Sequence, residues 1–571
     1  MNPHPLNLSP PVREEHEWLS TTLFCAVLLL FSLNTLYRYL GAGRDDVFIT
    51  LWAGKTLGAG LWFINYNGEL QEISSSILGA LIAKLAYLCC VETYYLANKL
   101  LGGGAALATL LVVWFNRRLL FHSFPGFGAV ATVALLGFNP SFAYWSLGGL
   151  ETPYYALLIL LYAVFAIRTF DLAVAATYQN YLSLTVIQIL AILCRPEGFW
   201  LIGATLVLML LYWKALPERR MLITKAAISP SLIFLIALFT VRYVMTGAIF
   251  PNPVYAKVSV GHLGELQEGW NYLNRFYVTG LAGILLAGTT LIAFLLIGYS
   301  VLNLLFPSKK HTSLDSYLLV PALAICAYEA FVIVVKGDWM EYHRFLAPTL
   351  GLKAPLLVML GEKLYSITPA HFRRLAAISV TAILVLAITG ELRYLSPGDC
   401  STRLTANFFP KFRDRPNDAT IALNCAHERD NSAIRPFIEG ELSKRLEQQG
   451  HLTIVTYQGG YFPYFIREKF FPHDITFVDT TGLLNLEIAR VEGEKIPTGN
   501  KRLDDIPAIL SGNVPGLSDR VSRYRPNMIY MLSEKETDQA ALKAIGFERI
   551  YQKPGAVVYL RTRASTDSIY N

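Results

Sequence analysis

The chain has 571 residues, of which 53% are hydrophobic and 16% charged, and its formal net charge is +7. Soluble domains average about 25% charged residues, so composition excludes a single water-soluble globule. The charges are split: residues 1–394 hold 46 of them, about 12% of that stretch, and residues 395–571 hold 45, about 25%. The tail is close to neutral, and the positive excess lies in the apolar part, where loop Lys and Arg set orientation in a membrane. The net charge is therefore not a nucleic-acid signal.

In chain order, residues 1–20 are polar and acidic and lack a signal-peptide n-region. The first apolar run is long and has no small-residue cleavage site, which predicts a retained helix. A spanning helix needs about 20 mostly apolar residues. Candidates lie near 19–40, 73–91, 95–116, 119–138, 151–168, 181–195, 198–213, 227–247, 279–304, 316–335, 345–360 and 375–394. The reading is an α-helical multi-pass membrane protein with about 11–13 spanning or half-spanning helices. The basic loops with Lys214, Arg219, Arg220 and Lys225, with Lys309, Lys310 and His311, and with Lys363, Arg373 and Arg374 are predicted to be cytoplasmic. The loops 41–72, 248–278 and 336–344 and the tail then lie outside. Between 41–72 and 139–150 stand three apolar segments, where sidedness requires an even number of crossings. One of them must be re-entrant or half-spanning.

The tail reads as an α/β extracytoplasmic domain over 395–571, beside a polytopic domain over 1–394. Strands are predicted at 419–424, 451–457, 474–479, 528–532 and 556–562, and a helix over 432–449 ended by Gly450. Cys25, Cys89, Cys90, Cys194 and Cys326 lie in apolar runs, where a thiol behaves as a small buried hydrophobe. Cys400 and Cys425 lie in the tail and could pair in an oxidising compartment. No cysteine spacing suggests zinc, and no cofactor is expected.

Five motifs combine charge with the predicted outer membrane boundary. Asp45 and Asp46 precede an apolar stretch at 47–57 that suits a short interfacial helix. As helix caps they suit the dipole; as ionisable groups beside hydrocarbon they suit a general base. "NPSFAYWSLGGLETP" places Glu151 at a helix start, where capping is the plainer role. "CRPEGFW" holds Arg195 and Glu197 in a turn too short for mere solvation, with a local ion pair as the simpler reading. "FPNPVYAKVS" carries Tyr255 and Lys257, the latter an ordinary solvated lysine on the plainer reading. "VKGDWMEYHRFLAPTL" packs Lys336, Asp338, Glu341, His343 and Arg344 with Trp339 and Tyr342. Snorkelling and an aromatic belt account for Lys336 and Trp339, but not for so many charges of both signs. A shared outer cavity with carboxylates at one end and cations at the other suits an anionic, membrane-anchored substrate. The tail aromatics Tyr461, Phe462, Tyr464 and Phe465 fit either core packing or a sugar groove.

Taken in order, DDVFITLWAGKTLGAG, P.FAYWSLGGLETP, RPEG, PNPVYAKV and GDWMEYHRFLAP resemble the multi-pass C-type glycosyltransferases. The sequence is most similar to relatives of the mycobacterial terminal arabinofuranosyltransferase, and the tail segment "GGYFPYF…DITFVDTTGLLNLEIAR" extends the likeness. The resemblance implies a catalytic Asp on the first outer loop, which falls on Asp45, with Asp46 as the alternative. It implies a polyprenyl-phosphate sugar donor and a glycan or lipid acceptor on the outer face of a bacterial inner membrane. Arg344, His343, Lys257 and Arg195 become candidates for the donor phosphate, and Glu151, Glu197, Asp338, Trp339 and Tyr255 for substrate contacts. Glu341, Tyr342 and His343 replace the Gly or Pro usual after the GDW motif, which leaves the sugar open. The rival readings are a transporter or flippase of lipid-linked sugars and a non-catalytic envelope-assembly protein.

Overall fold

A computed structural model describes residues 17–39, 45–90, 93–172, 176–257, 263–278, 280–305, 316–338, 340–394, 434–457, 459–470, 475–489, 505–514, 516–532, 536–553 and 556–562. The predicted strand at 419–424 and the Cys400–Cys425 pair lie outside these residues. The chain is a multi-pass helical membrane protein with a small mixed sheet at its C-terminal end. Among the described residues six helices are long and apolar enough to cross a membrane, and a seventh crossing arises if the bent pair Pro125–Gly137 and Pro140–Ser146 counts as one span.

Helix α1 (Glu17–Tyr39) crosses first and delivers the chain to α2 (Asp45–Gly58). Helix α3 (Ile77–Cys89) has only 13 residues, about 20 Å at 1.5 Å per residue, too short for the hydrocarbon core. It packs along α2 instead. The two backbones come so close that a Cβ at Gly54 would lie 2.5 Å from the Ala83 Cβ. The apolar segment 73–91 thus forms a helix shorter than a full crossing. Helix α4 (Tyr94–Phe115) is long enough to cross, and α5 (Arg117–Leu120) joins it to the 13-residue α6 (Pro125–Gly137). Arg117 pairs with Glu17 at 2.9 Å, so the start of α1 and the end of α4 share one face. Asp45 lies at the other face, called here the site face.

Helix α7 (Pro140–Ser146) bends 72° from α6. Helix α8 (Thr152–Phe170) is the most enclosed spanning helix, with 72% of its apolar window buried. It is followed by α9 (Tyr178–Cys194), α10 (Trp200–Leu211), α11 (Arg219–Ile223) and α12 (Ser229–Thr246). Arg219 donates to the Thr169 and Asp171 carbonyls, fixing its loop on the face opposite the site. Short α13 (Asn252–Lys257) and amphipathic α14 (Leu263–Tyr277) lead to α15 (Gly280–Leu305), α16 (Ser316–Val334), α17 (Leu350–Ile367) and α18 (Arg373–Tyr394). Exposed side chains such as Ile233, Val244, Phe294 and Leu295 face outward from these helices, as lipid-facing positions must. Cys25, Cys89 and Cys90 are exposed in the same way, and of the expected buried thiols Cys194 is fully enclosed.

The tail folds around a five-stranded sheet in the order β2-β1-β3-β5-β4. Its strands are β1 (Leu452–Thr456), β2 (Ile475–Asp479), β3 (Met528–Met531), β4 (Phe547–Lys553) and β5 (Ala556–Arg561). Strand β1 pairs in parallel with β2 and β3, and β5 runs antiparallel to β3 and β4. Strand β4 was not expected from the sequence, because its pattern FERIYQK is polar and largely exposed, as suits an edge. Side chains alternate across the sheet. Ile454, Phe477, Met528 and Val558 face a core continuous with that of the helices. Val455, Val478, Ile529 and Tyr559 face a second core with Ile506, Leu517 and Val521. The helix preceding β1 ends at Gly450, whose φ of +75° allows the stop. Helix α19 (Tyr461–Phe470) lies between the sheet and α2. Phe462 stacks on Tyr530 at 3.9 Å, and Tyr464 packs on Phe48 and Trp52 of α2. These two aromatics are packing residues, not an open groove.

Candidate active site

Asp45 and Asp46 form the first turn of α2. The Asp45 carboxylate accepts the backbone N–H groups of Gly460 at 3.0 Å and Tyr461 at 2.6 Å. Both donors come from the start of α19, in the tail. Gly460 is required by space: a Cβ there would sit 2.0 Å from the Asp45 carbonyl oxygen. Tyr66 braces the contact, its hydroxyl donating to the carbonyls of Phe48 at 3.2 Å and Gly460 at 3.3 Å. Burial pushes the Asp45 carboxyl up to about 7, and Asp46 and Asp479 add to the rise while the two amides oppose it.

Asp479 closes the segment that carries this docking. Its carboxylate accepts N–H groups from Thr481, Leu483 and Leu484 and the Thr481 hydroxyl. Burial raises its pKa despite those bonds. The ordered turn presents the Leu484 carbonyl to Asn65 at 3.0 Å. Asn67 exchanges two hydrogen bonds with the Phe477 backbone, at 2.9 and 2.7 Å.

A second group of charges lies on the same face. Arg195 pairs with Glu151 at 2.7 Å and with Glu197. Glu151 is therefore no side-chain cap of α8; it answers a buried guanidinium instead. The RPEG turn is tight because Gly198 presses on the last turn of α9, where a Cβ would lie 2.2 Å from the Ala191 carbonyl. Arg195 sits 4.5 Å from the Phe345 ring centroid, and Arg344 sits 5.4 Å from the same ring. Arg344 and Asp338 approach to 2.6 Å, yet the Arg344 Nε lacks an aligned hydrogen bond although it is buried. Burial works against the Arg344 charge, but Asp338, Glu151 and Asp46 outweigh it and hold the guanidinium protonated. Through this field Asp46 of α2 acts on Arg344.

The loop that carries Arg344 is strained. Lys336, Tyr342 and His343 adopt positive φ of 66°, 50° and 48°, each costing about 1–3 kcal/mol for a non-glycine residue. Stacking supports the conformation: Tyr342 lies 4.6 Å from Tyr144, and His343 packs between Tyr272 and Phe276. Burial lowers the His343 pKa to about 4, helped by Arg275. Its imidazole is therefore neutral at pH 7 and can make hydrogen bonds but carries no charge.

The structure thus brings Asp45, Asp46, Glu151, Arg195, Glu197, Asp338 and Arg344 to one face. Tyr255 is used locally, accepting the N–H groups of Ile249 and Phe250. Lys257 ends α13 on that face, but its side chain and all of Trp339 lie outside the described residues. Among the described residues no group of three or more His, Cys, Asp or Glu side chains is placed to hold a metal ion.

Sequence reasoning missed several contributors. Gly460 and Tyr461 act through backbone amides, which carry no side-chain signal. Glu72 makes a two-point pair with Arg242, both distances 2.8 Å, and both residues are buried. Asn252 donates its N–H to the Glu72 carbonyl and its amide to Gln71, so motif four anchors the first loop. The signal was present as an arginine inside an otherwise apolar helix run, VRYVM.

No protein-family model and no curated protein matches the sequence. Solved structures do match by fold. ArnT from Cupriavidus metallidurans bound to undecaprenyl phosphate superposes with a TM-score of 0.57 at 15% identity, over 96% of this chain and 98% of that one. Its apo state gives the same values. The Archaeoglobus fulgidus oligosaccharyltransferase in complex with Zn and sulfate reaches 0.50 at 12% identity, over 95% of this chain and 74% of that one. The chain therefore has the C-type glycosyltransferase fold, a bundle of membrane helices with a C-terminal sheet domain.

Proposed function

We propose that this protein is a membrane glycosyltransferase that moves a sugar from a polyprenyl-phosphate donor to a cell-envelope glycan or lipid. The observation that carries the reading is the acid pair of α2 on the same membrane face as Arg344 and Arg195, with the Asp46 charge acting on Arg344. ArnT, the fold neighbour with the higher TM-score, binds undecaprenyl phosphate, which supports the donor class. Asp45 is the proposed base. A carboxylate with a pKa near 7 takes a proton well at neutral pH, and the two amides hold it in one orientation. The acceptor hydroxyl passes its proton to Asp45 as its oxygen attacks the anomeric carbon. The anomeric C–O bond breaks on the opposite side, and its electron pair leaves with the polyprenyl phosphate. Arg344 receives that charge through its buried guanidinium. Inversion at the anomeric carbon follows.

The positive-inside rule supports an extracytoplasmic site face and tail, and the sequence resemblance implies the inner membrane of a bacterium. The sequence resemblance raises arabinofuranose as the sugar, and the changed residues Glu341, Tyr342 and His343 beside the cations leave other sugars equally open. Asp45→Asn and Asp46→Asn, assayed separately in membranes given labelled lipid-linked sugar, test the base. Loss of transfer in Asp45→Asn supports the assignment, whereas full transfer by both variants sinks it. The lipid-linked sugar that accumulates when the protein is removed names the donor.

One observation favours a transporter: Lys353 and Glu329 form a fully buried ion pair between α17 and α16. Tyr277 closes over it, bonding Glu329 at 2.6 Å and Lys353 at 2.8 Å, which suits a structural clasp. Reconstituted vesicles that flip lipid-linked sugar without forming product would favour the transporter.

A further inference from the structure

On the face opposite the site, the ends of α4 and α8 and the short α5 border an open cavity of about 430 Å³. It is lined by Phe115, Asn116, Arg117, Arg118, Leu119 and Arg168. Three of these six side chains are guanidinium groups and none is a carboxylate. Cytoplasmic arginines are expected from topology alone, but topology asks only that they reach water. Here two of them are drawn back and held. Arg117 lies over the Trp114 ring at 4.5 Å and pairs with Glu17 on its outer side. Arg168 donates to the Asn116 side chain at 2.8 Å and leans on Phe165. Other basic residues of this face do not converge in this way: Arg219 bonds the Thr169 and Asp171 carbonyls, and Arg220 stacks on Trp213.

We infer that this cavity binds the phosphate headgroup of an anionic membrane phospholipid. Guanidinium groups fixed in place recognise phosphate oxygens in pairs, and basic pockets between helices on this face suit such headgroups. The volume falls in the range of small-molecule sites, about 300–1,000 Å³. Phe115, the last residue of a spanning helix, is 74% exposed beside the arginines. It offers an apolar surface for the acyl chains, which a free phosphate would not use. The inference stands apart from the proposed transfer reaction, because none of these residues belongs to the site face.

The full-length protein in neutral detergent tests it by native mass spectrometry. Phosphatidylglycerol, phosphatidylcholine and inorganic phosphate are offered separately. Phosphatidylglycerol is expected to be retained at least tenfold better than phosphatidylcholine. The double variant Arg118→Gln, Arg168→Gln should lose that preference, and Arg373→Gln, also basic and on this face, should keep it. Equal retention of both lipids, or an unchanged preference in the double variant, overturns the proposal. Tight retention of inorganic phosphate with no lipid preference reassigns the cavity to a free anion and overturns it too. If the double variant fails to fold, photo-crosslinking of phosphatidylglycerol to the wild type decides: adducts on residues 115–119 support the site, and adducts only elsewhere refute it.

Discussion

Gly460→Ala is the sharpest probe of the docking between the tail and α2. Gly460 has no unusual φ, so the effect is one of space alone. The new Cβ would stand 2.0 Å from the Asp45 carbonyl oxygen and 2.6 Å from its carboxyl carbon. Real Cβ contacts stay beyond 3.0 Å, so the turn must withdraw by about 1 Å, a displacement that can cost 10²-fold in a catalytic geometry. Withdrawal lengthens the N–H bonds to Asp45, now 3.0 and 2.6 Å. Each hydrogen bond to a charged group contributes about 1.5–3 kcal/mol. If water restores one of the two, about 2 kcal/mol of positioning is lost, roughly 30-fold in rate. Gly459→Ala is the matched control. Its Cβ would meet Asp479 and Leu483 at 3.5 Å, ordinary contact. With labelled lipid-linked donor, Gly460→Ala should lower kcat about 30–100-fold with little change in donor KM, because the arginines are untouched. Gly459→Ala should stay within about threefold of wild type. Wild-type turnover by Gly460→Ala, or equal losses in the two variants, would refute the reasoning.

Transfer should also depend on pH through Asp45. Its carboxyl is raised from 3.8 to about 7, so the folded protein holds a proton there that the unfolded chain releases above about pH 4. The contribution of this group to stability therefore falls as pH rises from about 4 to 7, while the supply of free base grows. The rate should drop about tenfold per pH unit below about 7, and a pH-rate profile flat from 5 to 8 would exclude Asp45 as the base. Arg344→Ala should raise donor KM well above the effect of Lys336→Ala; equal shifts in a donor titration would remove Arg344 from the phosphate. Glu72→Gln leaves Arg242 buried without its countercharge, a loss of about 3–5 kcal/mol. It should lower the thermal unfolding midpoint in detergent, and an unchanged midpoint would mean that the pair is not structural.

Much of this protein is legible in its sequence because hydrocarbon leaves the chain few choices. A run of about 20 apolar residues becomes a helix wherever lipid cannot bond the backbone, and basic loops fix which ends lie together. The polar residues that survive in such runs are costly, so Asp45, Asp46, Glu151, Arg195 and Arg344 stand out by their placement. Short apolar runs likewise predicted four of the sheet strands. What local pattern cannot carry is the partner across space. Segment 73–91 is apolar enough to suggest a crossing, yet its helix is only 13 residues long and packs closely on α2 through Gly54 and Ala83. Glu151 reads as a cap until Arg195, 44 residues later, is folded beside it. The amides of Gly460 and Tyr461 reach Asp45 across more than 400 residues. They are invisible to any reading of side chains, because a backbone donor exists at every position and only the tertiary fold decides where it points.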